Sequence, residues 1–305
     1  MSDTLHAAAT GAGNLGNFIP EIWANTALMA LRSKIVLAKN ITRDGDVGGF
    51  TQGDILNIPI PGVFVANDKA VGTAITLQNP SANKVSVTLN KHKEVSFVIE
   101  DPVRAQANQD TVMRHVSQAA TALAEQIETD IAGLYSGLST IVGTPGVAAS
   151  RASLLSLRQE LNDNKAPLEG RIIVVGPAGE VDLLGDSDLK GYFENARPEA
   201  IAEGSIGRVM GFDVYMSQLV PSSGAGATGI AGTPEFGILA MRALPVTGAP
   251  GVDQMAMRDA TSGLVIRQTA SYDTDLLGIK VTLDVLYGVA EMRDECGAAF
   301  AHAKT

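Results

Sequence analysis

Two strand-like runs with a polar stretch between them constrain this chain more than any other feature. Lys84-Val85-Ser86-Val87-Thr88-Leu89-Asn90 alternates polar and apolar residues with a period of two, as does Val95-Ser96-Phe97. That period places one set of side chains on a single sheet face. Upstream, Asp54-Ile55-Leu56-Asn57-Ile58-Pro59-Ile60-Pro61-Gly62 reads as a short strand ended by proline. Residues 66–83 between them are polar. The pattern predicts a long two-stranded loop with a polar tip. Such an excursion has little of its own chain to bury against, so it predicts a partner.

The rest of the chain alternates helical and extended character. Residues 1–17 are small and polar and predict a mobile arm. Pro20 to Leu37 reads as a first helix, with Ile22, Trp23, Thr26, Leu28, Met29 and Leu31 as a broad apolar stripe. Asp101-Pro102 ends the strand region. A long helix follows over about 110–135, with Val112, Val116, Ala119, Ala120, Leu123, Ile127, Ile131 and Leu134 spaced by threes and fours. At about 1.5 Å per residue it spans roughly 40 Å, and Asn108 or Asp110 can cap it. Residues 136–147 read as a boundary loop.

Beyond the boundary the spacing predicts a helix over 150–162, a strand at 171–177 buried on both faces, and a short helix at 181–184. Two short strands meet near Met210-Gly211, and 222–233 reads as a mobile surface loop. Strands recur at 236–241, 254–258, 264–269 and 279–290. The fold class is α+β.

Charge and composition exclude several functions. The chain of 305 residues has a formal net charge of −10, and no third of it carries more Lys and Arg than Asp and Glu. Sequence-specific DNA binding, which wants a basic face, is a poor reading. The single cysteine, Cys296, rules out an intrachain disulfide and a cysteine metal cluster. It is expected to be passive beside a mobile C-terminus, with Asp294 and Glu295 disfavouring a thiolate. The acidic start Met1-Ser2-Asp3 lacks a signal pattern, and no run of 18 apolar residues exists for a membrane span.

The motifs that could carry catalysis dissolve on inspection. Gly11-Ala12-Gly13-Asn14-Leu15-Gly16 spells GxGxxG but lacks the preceding strand that phosphate binding needs. Asp186-Ser187-Asp188 begins like a calcium loop, yet Lys190 and Arg197 occupy ligand positions. His6, His92, His115 and His302 are scattered and predict ordinary surface or partly buried side chains rather than a zinc site. No GxSxG elbow is present. Asn40-Ile41-Thr42 is a glycosylation sequon by letters only. No catalytic, cofactor-binding or metal residue is expected, and a soluble α+β enzyme is the disfavoured reading.

Six segments, in order, resemble the major capsid proteins of tailed bacteriophages. They are Phe18-Ile19-Pro20-Glu21-Ile22-Trp23, Gln52-Gly53-Asp54-Ile55-Leu56-Asn57-Ile58-Pro59, and Ile99-Glu100-Asp101-Pro102-Val103-Arg104-Ala105-Gln106-Ala107-Asn108. Downstream come Ala122-Leu123-Ala124-Glu125-Gln126-Ile127-Glu128-Thr129-Asp130-Ile131, then 205–217 around Met210-Gly211, then Tyr287-Gly288-Val289-Ala290-Glu291-Met292-Arg293. The resemblance covers about 18–293. It implies an arm and first helix (1–46), an extended loop (47–84), a peripheral domain with a spine helix (85–144 and 256–305) and an axial domain (145–255). It shows neither the insertion domain some members carry nor a long N-terminal scaffolding segment.

The resemblance also implies a function. The chain would self-assemble into pentamers and hexamers of an icosahedral head around double-stranded DNA, in the host cytoplasm. Expected partners are other copies of itself, scaffolding, portal and decoration proteins, and packaged DNA through weak contact, with no membrane. Trp23, Asp68, Lys69 and Arg104 are the expected intersubunit contacts. Some relatives crosslink through a loop lysine, a role Lys69 fills only with a buried carboxylate beside it. An encapsulin-like nanocompartment shell is the alternative.

Overall fold

The computed structural model describes residues 26–27, 29, 35–43, 55–60, 64–78, 83–102, 109–189, 206–246, 251–258 and 264–304. The arm, its GxGxxG and most of the expected first helix lie outside these. Thr26, Ala27 and Met29 are helical, whereas Ile35 and Val36 are not. Leu37–Lys39 forms a separate 3-10 turn.

Strand β1 (Thr42–Arg43) leads to the predicted loop, β2 (Ile55–Ile60) and β3 (Asn83–Thr88), followed by β4 (Lys91–Glu100). Helix α1 (Gln109–Ala132) is 24 residues long, about 36 Å, and continues into a 3-10 turn at Gly133–Ser136. Then come β5 (Ile141–Gly143), α2 (Arg151–Asp163), β6 (Ile172–Val175) and α3 (Pro177–Gly185). The remaining strands are β7 (Arg208–Val209), β8 (Phe212–Met216), β9 (Ser222–Ser223), β10 (Gly226–Gly232), β11 (Gly237–Arg242), β12 (Val252–Arg258), β13 (Val265–Asp273), β14 (Gly278–Glu291) and β15 (Gly297–Ala303). Helix and strand content is α+β, as the sequence predicts.

Two sheets organise the chain. The first runs β1-β11-β14-β13-β12, with β4 also paired to β14. Helix α1 covers it because Val116, Ala120, Leu123, Ala124, Ile127 and Ile131 form one buried stripe. That stripe shares a core with Val281, Leu283, Val285 and Tyr287, alternate residues of β14. The second sheet runs β5-β15-β10-β6-β8-β7. Its outer face packs on α2 and α3 through Leu154, Leu157, Leu161, Leu183, Phe212 and Phe300. Ile172, Val174 and Ile230 join the first core instead, so β6 is buried on both faces as predicted.

Local chemistry sets the boundaries. Ser150 caps α2 in a capping box with Ser153. Pro177 opens α3 at a position that needs no N–H, so this helix starts earlier than the apolar spacing alone predicts. Met210 and Gly211, both at positive φ (50° and 88°), close the β7–β8 hairpin.

Two expectations fail near the C-terminus. Residues 222–233 are no mobile loop: β10 is a buried strand between β6 and β15. Its small residues reflect crowding, since a Cβ at Gly229 would sit 2.0 Å from the Val174 carbonyl oxygen. Nor is the C-terminus mobile around Cys296. Cys296 is 4% exposed, and every residue of β15 is buried. Pairing along its length with β10 puts β15 in the second sheet rather than with 256–291.

Candidate assembly surface

The hairpin β2–β3 forms the predicted ribbon, pairing Ile55 with Thr88 through Ile60 with Asn83. Alternation splits its faces. Leu56, Ile58 and Val87 are buried against Ile238 and Ala240 of β11, so the ribbon's base rests on its own chain, more than the sequence predicts. Beyond it, 64–78 has no helix or strand and is exposed throughout.

That tip carries apolar side chains in water. Phe64, Val65, Val71, Ile75 and Leu77 are each at least 65% exposed. Apolar side chains gathered in one exposed segment suit an interaction surface. The tip is nonetheless internally tied. Val65 donates its N–H to Gln78 Oε1 at 2.9 Å, and Gln78 Nε2 donates back to the Val65 carbonyl. Thr73 Oγ1 donates to the Ala70 carbonyl at 2.9 Å. Lys69 Nζ donates to the carbonyls of Ala70 (3.1 Å) and Thr73. Among the described residues Lys69 touches no carboxylate, and its neighbour Asp68 has no partner. Trp23 and Arg104 lie outside the described residues.

The segment before β1 and the start of β4 are both fastened to α1 by buried or half-buried carboxylates. On the inbound side, Glu128 is 1% exposed, and its Oε2 and Oε1 accept the N–H groups of Leu37 (2.8 Å) and Ala38 (2.9 Å). Burial pushes its carboxyl above the usual range, against the pull of the Ala38, Leu37 and Val36 amides and of Lys39. On the outbound side, Asp130 Oδ1 pairs with Lys91 Nζ at 3.0 Å and Oδ2 accepts from Tyr287 Oη at 2.5 Å. Burial would raise the Asp130 pKa, but the Tyr287, Lys91 and Gln126 partners outweigh it and hold it low. An open cleft of about 450 Å³ lies beside this junction, lined by Thr88, Asn90, Lys91, Asp130 and Val289 among others.

Among the described residues, no group of three His, Cys, Asp or Glu side chains is placed to hold a metal. Burial pushes the Cys296 thiol up, away from nucleophilic thiolate. Asp186 accepts from the N–H groups of Arg151 (2.7 Å) and Asp188 (2.8 Å), so it joins α3 to the first turn of α2. Lys190 and Arg197 lie outside the described residues. Asn40 and Thr42 of the sequon are spent on the carbonyls of Val36 and Pro234.

Two of the scattered histidines, His92 and His302, serve the fold. His92 Nε2 lies 2.9 Å from Asp284, which Arg267 grips with two nitrogens at 3.1 and 2.6 Å. His302 is fully buried, contrary to expectation. Its Nε2 accepts the Gly176 N–H at 3.2 Å and its Nδ1 faces the Ala303 carbonyl at 2.6 Å.

The comparisons with known proteins agree with this geometry. Comparison with curated proteins gives no sequence match. Among solved structures the fold is similar to one from Mycobacterium phage Che8 (TM-score 0.63, 19% identity, covering 87% of this chain and 90% of that one). It is also similar to the capsid of the cyanophage P-SCSP1u (TM-score 0.61, 14% identity, 88% and 87%). A virus-like particle from Pyrococcus furiosus is more distant (TM-score 0.53, 11% identity, 92% and 99%). A family model described as phage capsid protein matches residues 82–299, more than half of the chain, running from the start of β3 into β15. With α1 laid over the first sheet and a hairpin whose tip is exposed, the chain belongs to the phage capsid protein family.

Proposed function

We propose that this chain is the major capsid protein of an icosahedral phage head, built as pentamers and hexamers around double-stranded DNA. The observation that carries the reading is the hairpin tip, whose apolar side chains stand in water while its base is packed on β11. A neighbouring copy is the natural cover, because each chain of a closed shell both offers a tip and receives one. Individual contacts need not be strong, since many act together. The net charge of −10 suits a shell that confines DNA with weak contact rather than gripping it. The first sheet with α1 corresponds to the peripheral unit, and the second sheet, β15 included, to the axial unit. The role is structural rather than catalytic, with assembly in the host cytoplasm and scaffolding, portal and decoration proteins as further partners.

The test is electron microscopy of the purified full-length protein, alone and with a scaffold. Closed isometric shells are expected. Small discrete oligomers under every condition overturn the reading. A protein nanocompartment is the second reading, favoured by the similarity to the Pyrococcus furiosus particle. Mass spectrometry of purified particles separates the two, because cargo protein without nucleic acid supports the compartment.

A further inference from the structure

We propose that Gln78 and Lys69 are positioning residues that keep the hairpin tip in the register of its base, so that it meets a second copy with its apolar face already formed. The proposal rests on the assembly reading and names what shapes the tip. The β2–β3 ladder ends at Ile60 and Asn83, and 64–78 contains no strand. Yet the same register continues to the crest. Ile60 stands eleven residues before Val71, and Asn83 eleven after Gly72. Val65 and Gln78 stand six before and six after, Ala70 and Thr73 one before and one after. These two pairs are the ones that hydrogen bonds join across the tip.

The two ties differ in chemistry. At the neck, the Gln78 side-chain amide stands in for a ladder. Its Oε1 accepts the Val65 N–H at 2.9 Å and its Nε2 donates to the Val65 carbonyl. At the crest, Thr73 donates its N–H to the Ala70 carbonyl at 3.3 Å and Gly72 takes a φ of +83°, the arrangement of a type II turn. Lys69 Nζ closes that turn by donating to the carbonyls of Ala70 and Thr73. Register matters because side chains alternate between faces, and a slip of one residue reverses them. Counted from the base, Phe64, Ile75 and Leu77 fall in the same set as Leu56, Ile58 and Val87, which pack with β11. The ties extend the apolar face of the base beyond its own chain. A second copy docking there orders less chain on binding.

The test uses the full-length protein with spin labels at Asn67→Cys and Thr76→Cys, which are opposed in this register; Cys296 is buried and escapes labelling. In unassembled protein one narrow distance distribution is expected. Gln78→Leu removes both neck bonds while adding apolar surface, and Lys69→Met removes the lysine's bonds at the crest. Each variant, shown folded by circular dichroism, should broaden the distribution at least twofold. In the unlabelled chain each should raise the protein concentration needed for half-maximal shell formation, read by light scattering, at least fivefold. A Gln78→Leu distribution as narrow as wild type overturns the proposal, as does a wild-type distribution already as broad as the variant's. A broadened distribution with an unchanged assembly threshold overturns the docking role. If distances are narrow in wild type and broaden in the variants but no shell forms under any condition, the ties stand and the assembly reading falls, taking the docking role with it.

Discussion

Tyr287 donates its hydroxyl to Asp130 at 2.5 Å, joining the end of the long helix to the central strand beneath it. Tyr287 is fully buried, and its neighbour across the ladder, Lys91, reaches the same carboxylate. A donor to an ionised acceptor inside a core is among the stronger hydrogen bonds a protein makes.

Replacing Tyr287 with Phe is therefore expected to cost about 1.5–3 kcal/mol at pH 7, read by urea unfolding. The pH dependence has two arms. Burial and the Asp130 carboxylate raise the Tyr287 pKa, so its contribution is present below pH 10 and is lost as pH rises beyond it, where the unfolded tyrosine ionises first. The Asp130 pKa is lowered, so its contribution is present above pH 3.8 and fades as pH falls through the folded value. The Phe variant should flatten the alkaline arm relative to wild type. Equal slopes above pH 10 would remove the argument.

His302 makes the opposite kind of prediction, on the acid side. Burial lowers its pKa, and its Nε2 already accepts a proton from Gly176. Charging the ring would set two N–H groups against each other at the start of α3. Its contribution is present above pH 6.5 and is lost as pH falls through the folded pKa. His302→Gln should cost about 1–3 kcal/mol at pH 7.5 and lose less between pH 7.5 and 5.5 than wild type does. Parallel losses in the two proteins would show that another group governs acid lability.

Gln268 is fully buried in β13, and neither amide atom has a hydrogen-bond partner among the described residues. An unpaired buried amide costs about 1–3 kcal/mol. Gln268→Met, similar in length and apolar, should raise stability by about 1–2 kcal/mol, seen as a higher melting temperature. A lower one would mean that a partner exists.

The tip predicts an effect on assembly alone. Val71 and Leu77 are 104% and 86% exposed, so Val71→Asp with Leu77→Asp should shift subunit stability by no more than about 0.5 kcal/mol. Shell yield by sedimentation should nevertheless collapse, because charges replace the apolar surface offered to the neighbour. Wild-type yield would place the assembly contact elsewhere.

Lys69 is expected to form no covalent crosslink. Its ammonium is occupied by two tip carbonyls, and among the described residues no carboxylate stands beside it to take its proton. Particles boiled in denaturant should run as a single band at the 31.7 kDa of the monomer. A ladder of multimers that disappears in Lys69→Ala would contradict this.

The periodic parts of this fold were legible in the sequence, and the rest was not, for a physical reason. A two-residue period announced β3 and β4, a proline stop announced β2, and threes and fours announced α1, because local burial on one face writes itself into local spacing. Strand β10 within 222–233 was missed because glycine and alanine carry no such signature. Their smallness answers to Val174 and its strand, which lie far away in the chain. The buried β15 was missed likewise, since its environment is made by β10 and β5. Glu128 left one readable trace, a carboxylate three and four residues from the buried Ile131 and Ala124. That trace marks it as anomalous but cannot name Leu37 and Ala38 as its partners. Composition and periodicity thus determined an α+β chain with an outstretched hairpin. Only the tertiary structure decided where that hairpin rests, because its base packs on Ile238 and Ala240, which lie far away in the chain.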